Sequence, residues 1–141
     1  MKTLKSMLAS IALITVCFVA NATVKPVADK PTKSDVVNMY IDAISHGKIN
    51  SLNAILDESM QFNIQRGENV NTLDKNQLLE YLKGNANGDA PVSTNTTTVQ
   101  EDDNSYVVKV DFKYAGYTRS DLVTVENSGG WMITKIQSSY K

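Results

Sequence analysis

The second half of the chain alternates apolar and polar residues so strictly that it predicts β-strands. Between positions 106 and 114, every second residue is apolar or aromatic, which is the period of a strand with one buried face. Turn-forming residues at 102–104, 115–116 and 127–130 interrupt this pattern at short intervals. Connections this short join antiparallel neighbours, so residues 92–137 predict an antiparallel meander.

The first half has helical periodicity instead. Apolar residues recur on one helix face between positions 36 and 44. Thr32 or Ser34 can cap the start of this helix, and Gly47 lies where a left-handed C-cap residue is expected. His46 is the only histidine of the chain. A histidine in the last turn of a helix is favoured by the helix dipole, so His46 needs no catalytic role.

A second short helix and a hairpin are predicted next. Leu52, Ile55 and Leu56 form the apolar stripe of the helix. Apolar residues then alternate at 60–65, which predicts a strand, and residues 70–73 can pair back to it.

A third helix is predicted from Asp74 to Gly84, because Asp74 and Gln77 have the spacing of a capping box. Three helices in the first half and a sheet in the second predict an α+β fold, in which the helices cover one face of the sheet.

The first residues predict a signal peptide. Lys2 and Lys5 precede an uncharged, mostly apolar run at 7–20, and Ala-Asn-Ala follows at 20–22. An uncleaved membrane anchor is the alternative, but the run is shorter than the ~20 residues that cross a bilayer. We therefore predict a signal peptide at 1–22, a flexible linker at 23–32 and one domain at 33–141, exported to the periplasm or secreted, with no membrane attachment after cleavage.

Composition excludes several kinds of site from the predicted mature chain. Without Lys2 and Lys5, 12 basic residues face 15 acidic ones, and no basic patch predicts nucleic-acid binding. The only cysteine, Cys17, lies within the predicted signal peptide. With no cysteine and one histidine, a metal site, a cysteine nucleophile and a serine triad are all disfavoured, so we predict no metal and no cofactor.

The order of elements resembles the nuclear transport factor 2-like superfamily, and within it the SnoaL-like and lumazine-binding branches. The motifs that carry the resemblance are V-x-x-Y-I-x-A-x-x-x-G from Val37, L-x-x-I-L-D-E from Leu52, and G-G-W-M-I from Gly129. The resemblance implies a cone-shaped fold, in which a curved antiparallel sheet wraps around three N-terminal helices and encloses a pocket. Members include pocket enzymes, ligand-binding proteins and dimers, so the fold leaves function open.

Ketosteroid isomerases of this superfamily use a carboxylate base on the first strand, an oxyanion tyrosine and a protonated acid. By resemblance, Tyr40 matches the tyrosine, but the position of the base falls on Asn63, whose amide cannot accept a proton from carbon. The third position falls between Arg119 and Asp121. Tyr40 has a second interpretation, as a core tyrosine whose hydroxyl finds a partner.

Arg119 and Asp121 share one strand face by period-two counting. Two interpretations stay open. Both residues can lie at the mouth of the pocket, where Arg119 would hold an anionic group of a ligand. They can also form a cross-strand ion pair of little energetic value at the edge of the sheet.

The last predicted strand carries apolar residues on both faces, at Trp131 and Ile133 on one face and at Met132 and Ile136 on the other. A sheet with one solvated face would alternate more cleanly. We therefore predict a homodimer through the sheet.

The function predicted first is non-catalytic binding of a small apolar or aromatic molecule. The alternatives are a pocket enzyme of the isomerase, dehydratase or cyclase type, using Tyr40 and Asp121 as polar groups, and an interaction module that uses the outer sheet face. The candidate pocket residues are Tyr40, Phe62, Asn63, Tyr81, Tyr114, Arg119, Asp121 and Trp131.

Overall fold

The computed structural model describes residues 30–141. The predicted signal peptide at 1–22 and most of the predicted linker at 23–32 lie outside the described residues, and both stay predictions. The elements are α1 (Lys33–His46), α2 (Ile49–Leu52), β1 (Leu56–Arg66), β2 (Asn69–Leu73), α3 (Lys75–Gly84), β3 (Ser93–Glu101), β4 (Ser105–Lys113), β5 (Thr118–Asn127) and β6 (Trp131–Tyr140).

The strands form one sheet in the order β2-β1-β6-β5-β4-β3. Strands β3 to β6 pair with their chain neighbours in antiparallel fashion, so the predicted meander is confirmed. Strand β1 pairs antiparallel with β2 and parallel with β6. Helix α1 contacts β4, β5 and β6, whereas α3 contacts β1 and β2, which confirms the α+β class. None of the helices between residues 30 and 141 has the length and apolar content that a membrane span needs.

Helix α1 follows its sequence signals closely. Thr32 caps its start and forms a capping box with Asp35, and Gly47 ends it at φ 67°. The apolar face predicted from the helical period packs against the core, with Tyr40 fully enclosed. This helix therefore positions Tyr40 against the inner face of the sheet.

The predicted second helix is wrong in its extent. Helix α2 ends at Leu52, and Leu56 already begins β1. Ile55 lies in the turn between them, where its carbonyl accepts a 2.7 Å hydrogen bond from the Ile133 amide. The three apolar residues are all buried. These residues are apolar because the turn and the elements on both sides of it are buried. Their spacing is the same as that of a helix face, so the sequence pattern does not distinguish the two.

A β-bulge explains the apolar residues on β6. Val125 pairs with Ile133, while Val123 pairs with Ile136, so β6 has one extra residue at this point. The bulge turns Ile133 and Ile136 to the same inner face, where both are fully buried. The pattern therefore does not indicate a two-sided apolar strand, and the predicted homodimer stays a prediction without that support.

Candidate functional site

Three polar side chains meet inside the apolar core. Arg119 and Asp121 lie two residues apart on the inner face of β5, and α1 places Tyr40 beside them. The Tyr40 hydroxyl donates to Asp121 Oδ2 at 2.5 Å and accepts from Arg119 Nη2 at 3.2 Å. Arg119 also binds the carboxylate with Nε at 2.9 Å and Nη2 at 2.8 Å. We call these three residues the buried triad.

Burial controls the protonation of the triad. Burial raises the pKa of Tyr40 well above its usual value, and the charge of Asp121 raises it further. Burial alone would lower the pKa of Arg119, but the neighbouring Tyr40 and Asp121 raise it well above its usual range. Tyr40 is therefore a neutral donor and Arg119 a permanent cation. Both oxygens of Asp121 are engaged by donors of the triad.

Arg119 packs against two phenylalanine rings. The ring centroids of Phe62 and Phe112 lie 5.7 and 5.8 Å from its Cζ atom. Only 6% of the residue is exposed. Within residues 30–141, its Nη1 group has no hydrogen-bond partner, whereas Nε and Nη2 are both engaged. The guanidinium is thus bound through Nε and Nη2, and its Nη1 group is still able to donate.

A cavity of about 340 Å³ lies beside Arg119. It opens between the C-terminal end of α1, the end of α3 with the loop that follows, and the ends of β4, β5 and β6. Its aromatic walls are Tyr81, Tyr114, Tyr117 and Tyr140. We call it the first cavity.

The tyrosines of the first cavity form a connected wall. Tyr114 and Tyr117 stack with centroids 4.6 Å apart, and Tyr117 lies 6.0 Å from Tyr140. Burial raises the pKa values of Tyr114 and Tyr140 above the usual value for a phenol. The neighbouring Tyr81 raises the pKa of Tyr140 further. These hydroxyls therefore stay protonated and can donate to a ligand at neutral pH.

Ser45 adds an unsatisfied group to this wall. Its Oγ atom is buried and has no hydrogen-bond partner among the described residues, and the residue lines the first cavity. A buried hydroxyl without a partner is costly, and a bound molecule would provide one.

The structure brings six of the eight predicted residues together. Tyr81, Tyr114 and Arg119 line the first cavity. The other three lie directly behind Arg119 and do not line the cavity: Tyr40, Phe62 and Asp121.

Asn63 and Trp131 lie elsewhere. Asn63 points to the outer face of the sheet and accepts a 2.8 Å hydrogen bond from Thr72 Oγ1. The inner residues of β1 around it are Phe62 and Ile64, so this part of the strand presents no carboxylate to Tyr40. Trp131 begins β6, at the opposite end of the strand from Tyr140.

Of the two interpretations of Arg119 and Asp121, the exposed edge pair is wrong. Strand β5 is flanked by β4 and β6 and is not an edge strand. The ion pair runs along one strand and is buried, with Asp121 fully enclosed.

Sequence reasoning missed Tyr117 and Tyr140. Tyr140 follows the period-two pattern from Ser138, but the predicted strand stopped at residue 137. Tyr117 lies in the turn before β5, where no period applies.

The exposed His46 contacts Asp42 at 3.3 Å and lies on the rim of the first cavity. Between residues 30 and 141, no group of three or more His, Cys, Asp or Glu side chains could hold a metal ion.

Comparisons with known proteins agree with this architecture. Residues 28–137 match the family described as "Putative lumazine-binding". No protein with a curated function matches the chain.

Solved structures with the nuclear transport factor 2-like fold are similar to this one. A protein of unknown function from Silicibacter pomeroyi has 16% identity and a TM-score of 0.61, over 77% of this chain and 92% of that one. One from Shewanella baltica has 9% identity and a TM-score of 0.61, over 77% and 90%. A structure described as a putative ketosteroid isomerase, from Parabacteroides distasonis, has 14% identity and a TM-score of 0.57, over 83% and 93%. At these identities the likeness concerns the fold alone.

Proposed function

The chain belongs to the "Putative lumazine-binding" family of nuclear transport factor 2-like proteins, and from that premise we propose that it is an exported domain that binds a small aromatic molecule without transforming it. The ligand would lie in the first cavity with a carbonyl or other acceptor group on Arg119. Sequencing the amino terminus of the protein from its own host tests the export, and a mature chain beginning at Thr23 is the expected result.

The observation that carries this proposal is the free edge of Arg119. Most buried arginines use all their donors within the protein, because an unpaired buried donor costs free energy. Here Tyr40 and Asp121 engage Nε and Nη2 of Arg119, Nη1 has no hydrogen-bond partner among the described residues, and Arg119 lines the first cavity. A hydrogen-bond acceptor bound there would complete the site without rearrangement of the protein.

The walls favour a flat, unsaturated ligand. Tyrosine rings bind planar molecules by stacking or edge contact, and their hydroxyls add hydrogen bonds. A cavity of about 340 Å³ is within the range of small-molecule sites. Asp121 offsets the charge of Arg119, so a neutral heteroaromatic carbonyl suits this position at least as well as a carboxylate does.

The buried triad also supports binding rather than catalysis. A general base must reach the proton that it removes. Asp121 is fully buried, is engaged by Tyr40 and Arg119, and does not line the first cavity. Tyr40 is equally enclosed. The polar groups that an isomerase would use thus satisfy one another behind Arg119.

Titration calorimetry with lumazine, a planar dicarbonyl heterocycle, tests the proposal. We expect saturable binding that is lost in Ala90→Trp, because Ala90 is an exposed residue of the cavity wall and the indole would fill the space. Asn87→Trp is the matched control, since Asn87 is exposed in the same loop but does not line the first cavity. Equal binding by both variants, or none by the parent protein, would contradict the proposal.

A further inference from the structure

A second cavity of about 550 Å³ adjoins the first. It lies between α3 and the hairpin of β1 and β2, with Ile64, Leu73 and Gln77 among its lining residues. Tyr81 is the one residue that lines both cavities. The two spaces are therefore separated at this point by a side chain.

The partition consists of two tyrosines. Tyr81 of α3 and Tyr140 of β6 both line the first cavity, and Tyr81 also lines the second. Tyr81 is only half-buried. A change of its side-chain rotamer would widen the passage between the two cavities with no change in the backbone.

A cation lies beyond the partition. The Arg66 Cζ atom is 5.7 Å from the centroid of the Tyr140 ring, and Arg66 lines the second cavity. Its side chain has no ion pair or hydrogen bond within residues 30–141. Glu80 lies on the same rim, but no ion pair joins it to Arg66. Tyr140 therefore lies between two arginines. Arg119 is its pairing partner on β5, and Arg66 lies over its ring.

The two arginines differ in whether a neighbouring carboxylate neutralises their charge. Arg119 is neutralised by Asp121, whereas Arg66 keeps an unbalanced positive charge at the surface. A neutral acceptor therefore suits the first cavity, and an anionic group suits Arg66.

We propose that the two cavities form one elongated site for a planar heteroaromatic carbonyl compound whose flexible tail ends in an anion. The ring lies beside Arg119, the tail passes between Tyr81 and Tyr140, and the anion binds Arg66. This assignment rests on the function proposed above for the first cavity.

Three probes separate the parts of this assignment. Lumazine represents the ring alone, riboflavin adds a polar tail, and flavin mononucleotide adds a terminal phosphate to that tail. We expect the mononucleotide to bind about three- to fivefold more tightly than riboflavin at low salt, as one partly exposed charge pair allows. Arg66→Gln should abolish this difference. Lys135→Gln, which removes an exposed positive charge from the outer face of β6, should retain it.

The partition has its own test. Tyr81→Ala removes the side chain that separates the two cavities, so both flavins should bind more tightly relative to lumazine than they do in the parent protein. Equal affinities for the two flavins in the parent protein, or an equal loss for both in Arg66→Gln, would overturn the inference. Lumazine binding without flavin binding would overturn it too, while leaving the proposed function in place. If no probe binds, the proposed function fails and this inference fails with it.

Discussion

The two ends of the sheet each hold a cation among aromatic rings, but only one of them is built as a site. At one end, Lys33 Nζ lies 5.3 Å from the Tyr106 ring and 5.6 Å from the Trp131 ring, and it forms an ion pair with Glu101. At the other end, Arg119 Cζ lies 5.7 and 5.8 Å from two phenylalanine rings, and the guanidinium is hydrogen-bonded to Asp121 and Tyr40.

The difference lies in burial and in how the donors are used. The Lys33 side chain is 27% exposed, and its flexible ammonium can exchange protein partners for water. Arg119 is almost fully buried, and its planar group is hydrogen-bonded to Asp121 and Tyr40. A buried cation can recognise a ligand when neighbouring groups offset the cost of its desolvation and one of its donors remains available at a cavity.

Removal of the Asp121 carboxylate should have the largest effect. Asp121→Ala leaves Arg119 buried without a counter-charge, which we expect to cost about 3–5 kcal/mol of unfolding free energy in urea titrations. Glu101→Ala, at the other end of the sheet, should cost less than about 1 kcal/mol, because its pair is exposed to solvent. Similar losses in the two variants would show that burial does not distinguish the two cations.

A variant without either charge provides a control for packing. Replacing Arg119 by Met and Asp121 by Leu together should recover most of the stability that Asp121→Ala loses, since no unpaired charge is left in the core. If the double variant is as unstable as the single one, lost packing rather than the unpaired arginine is the cause.

The Tyr40 hydroxyl should have an intermediate effect that depends on pH. Tyr40→Phe removes a donor from Asp121, at an expected cost of about 1–3 kcal/mol at neutral pH. The folded-state pKa of Tyr40 is raised above the usual 10.0. The unfolded chain therefore loses this proton first as the pH rises, and stability decreases from about pH 10 upward. Unfolding free energies measured at several alkaline pH values should fall more steeply for the parent protein than for Tyr40→Phe, and parallel slopes would contradict this explanation.

Removal of the Lys33 ammonium should have the smallest effect. Lys33→Gln loses the cation–π contacts and the pair with Glu101, at an expected cost of about 0.5–1 kcal/mol. High salt should reduce the difference from the parent protein, because the ion pair is accessible to screening. A loss of unfolding free energy as large as that of Asp121→Ala would show that the cations at the two ends of the sheet contribute equally to stability.

Local patterns in the sequence predicted most of the fold. The strict alternation in β4 and the capping signals of α1 and α3 require only neighbouring residues, and the structure confirms them. The prediction failed at the second helix and at the β6 bulge. In both places, burial in the tertiary structure changes which way consecutive apolar residues point, and a one-dimensional period does not contain that information.

The residues of the candidate site were likewise predicted where a regular period applies and missed where none does. Period-two counting on β5 was enough to place Arg119 and Asp121 on one face, and the helical period placed Tyr40 on the buried face of α1. Tyr117 and Tyr140 were missed because a turn residue and a strand terminus have no period to reveal their direction.

By itself, the sequence determined which residues face the interior on α1, β4 and β5, because side-chain direction there follows from the repeat of the backbone. Only the tertiary structure decided what those residues do. The packing of α1 on the sheet brings Tyr40 to Asp121, and the parallel pairing of β1 with β6 places Phe62 near Arg119. Tyr40 and Asp121 engage Nε and Nη2 of Arg119, which also lines the first cavity, while Nη1 has no partner among the described residues. Such a division of hydrogen bonds depends on distances between elements, which no local pattern in the chain specifies.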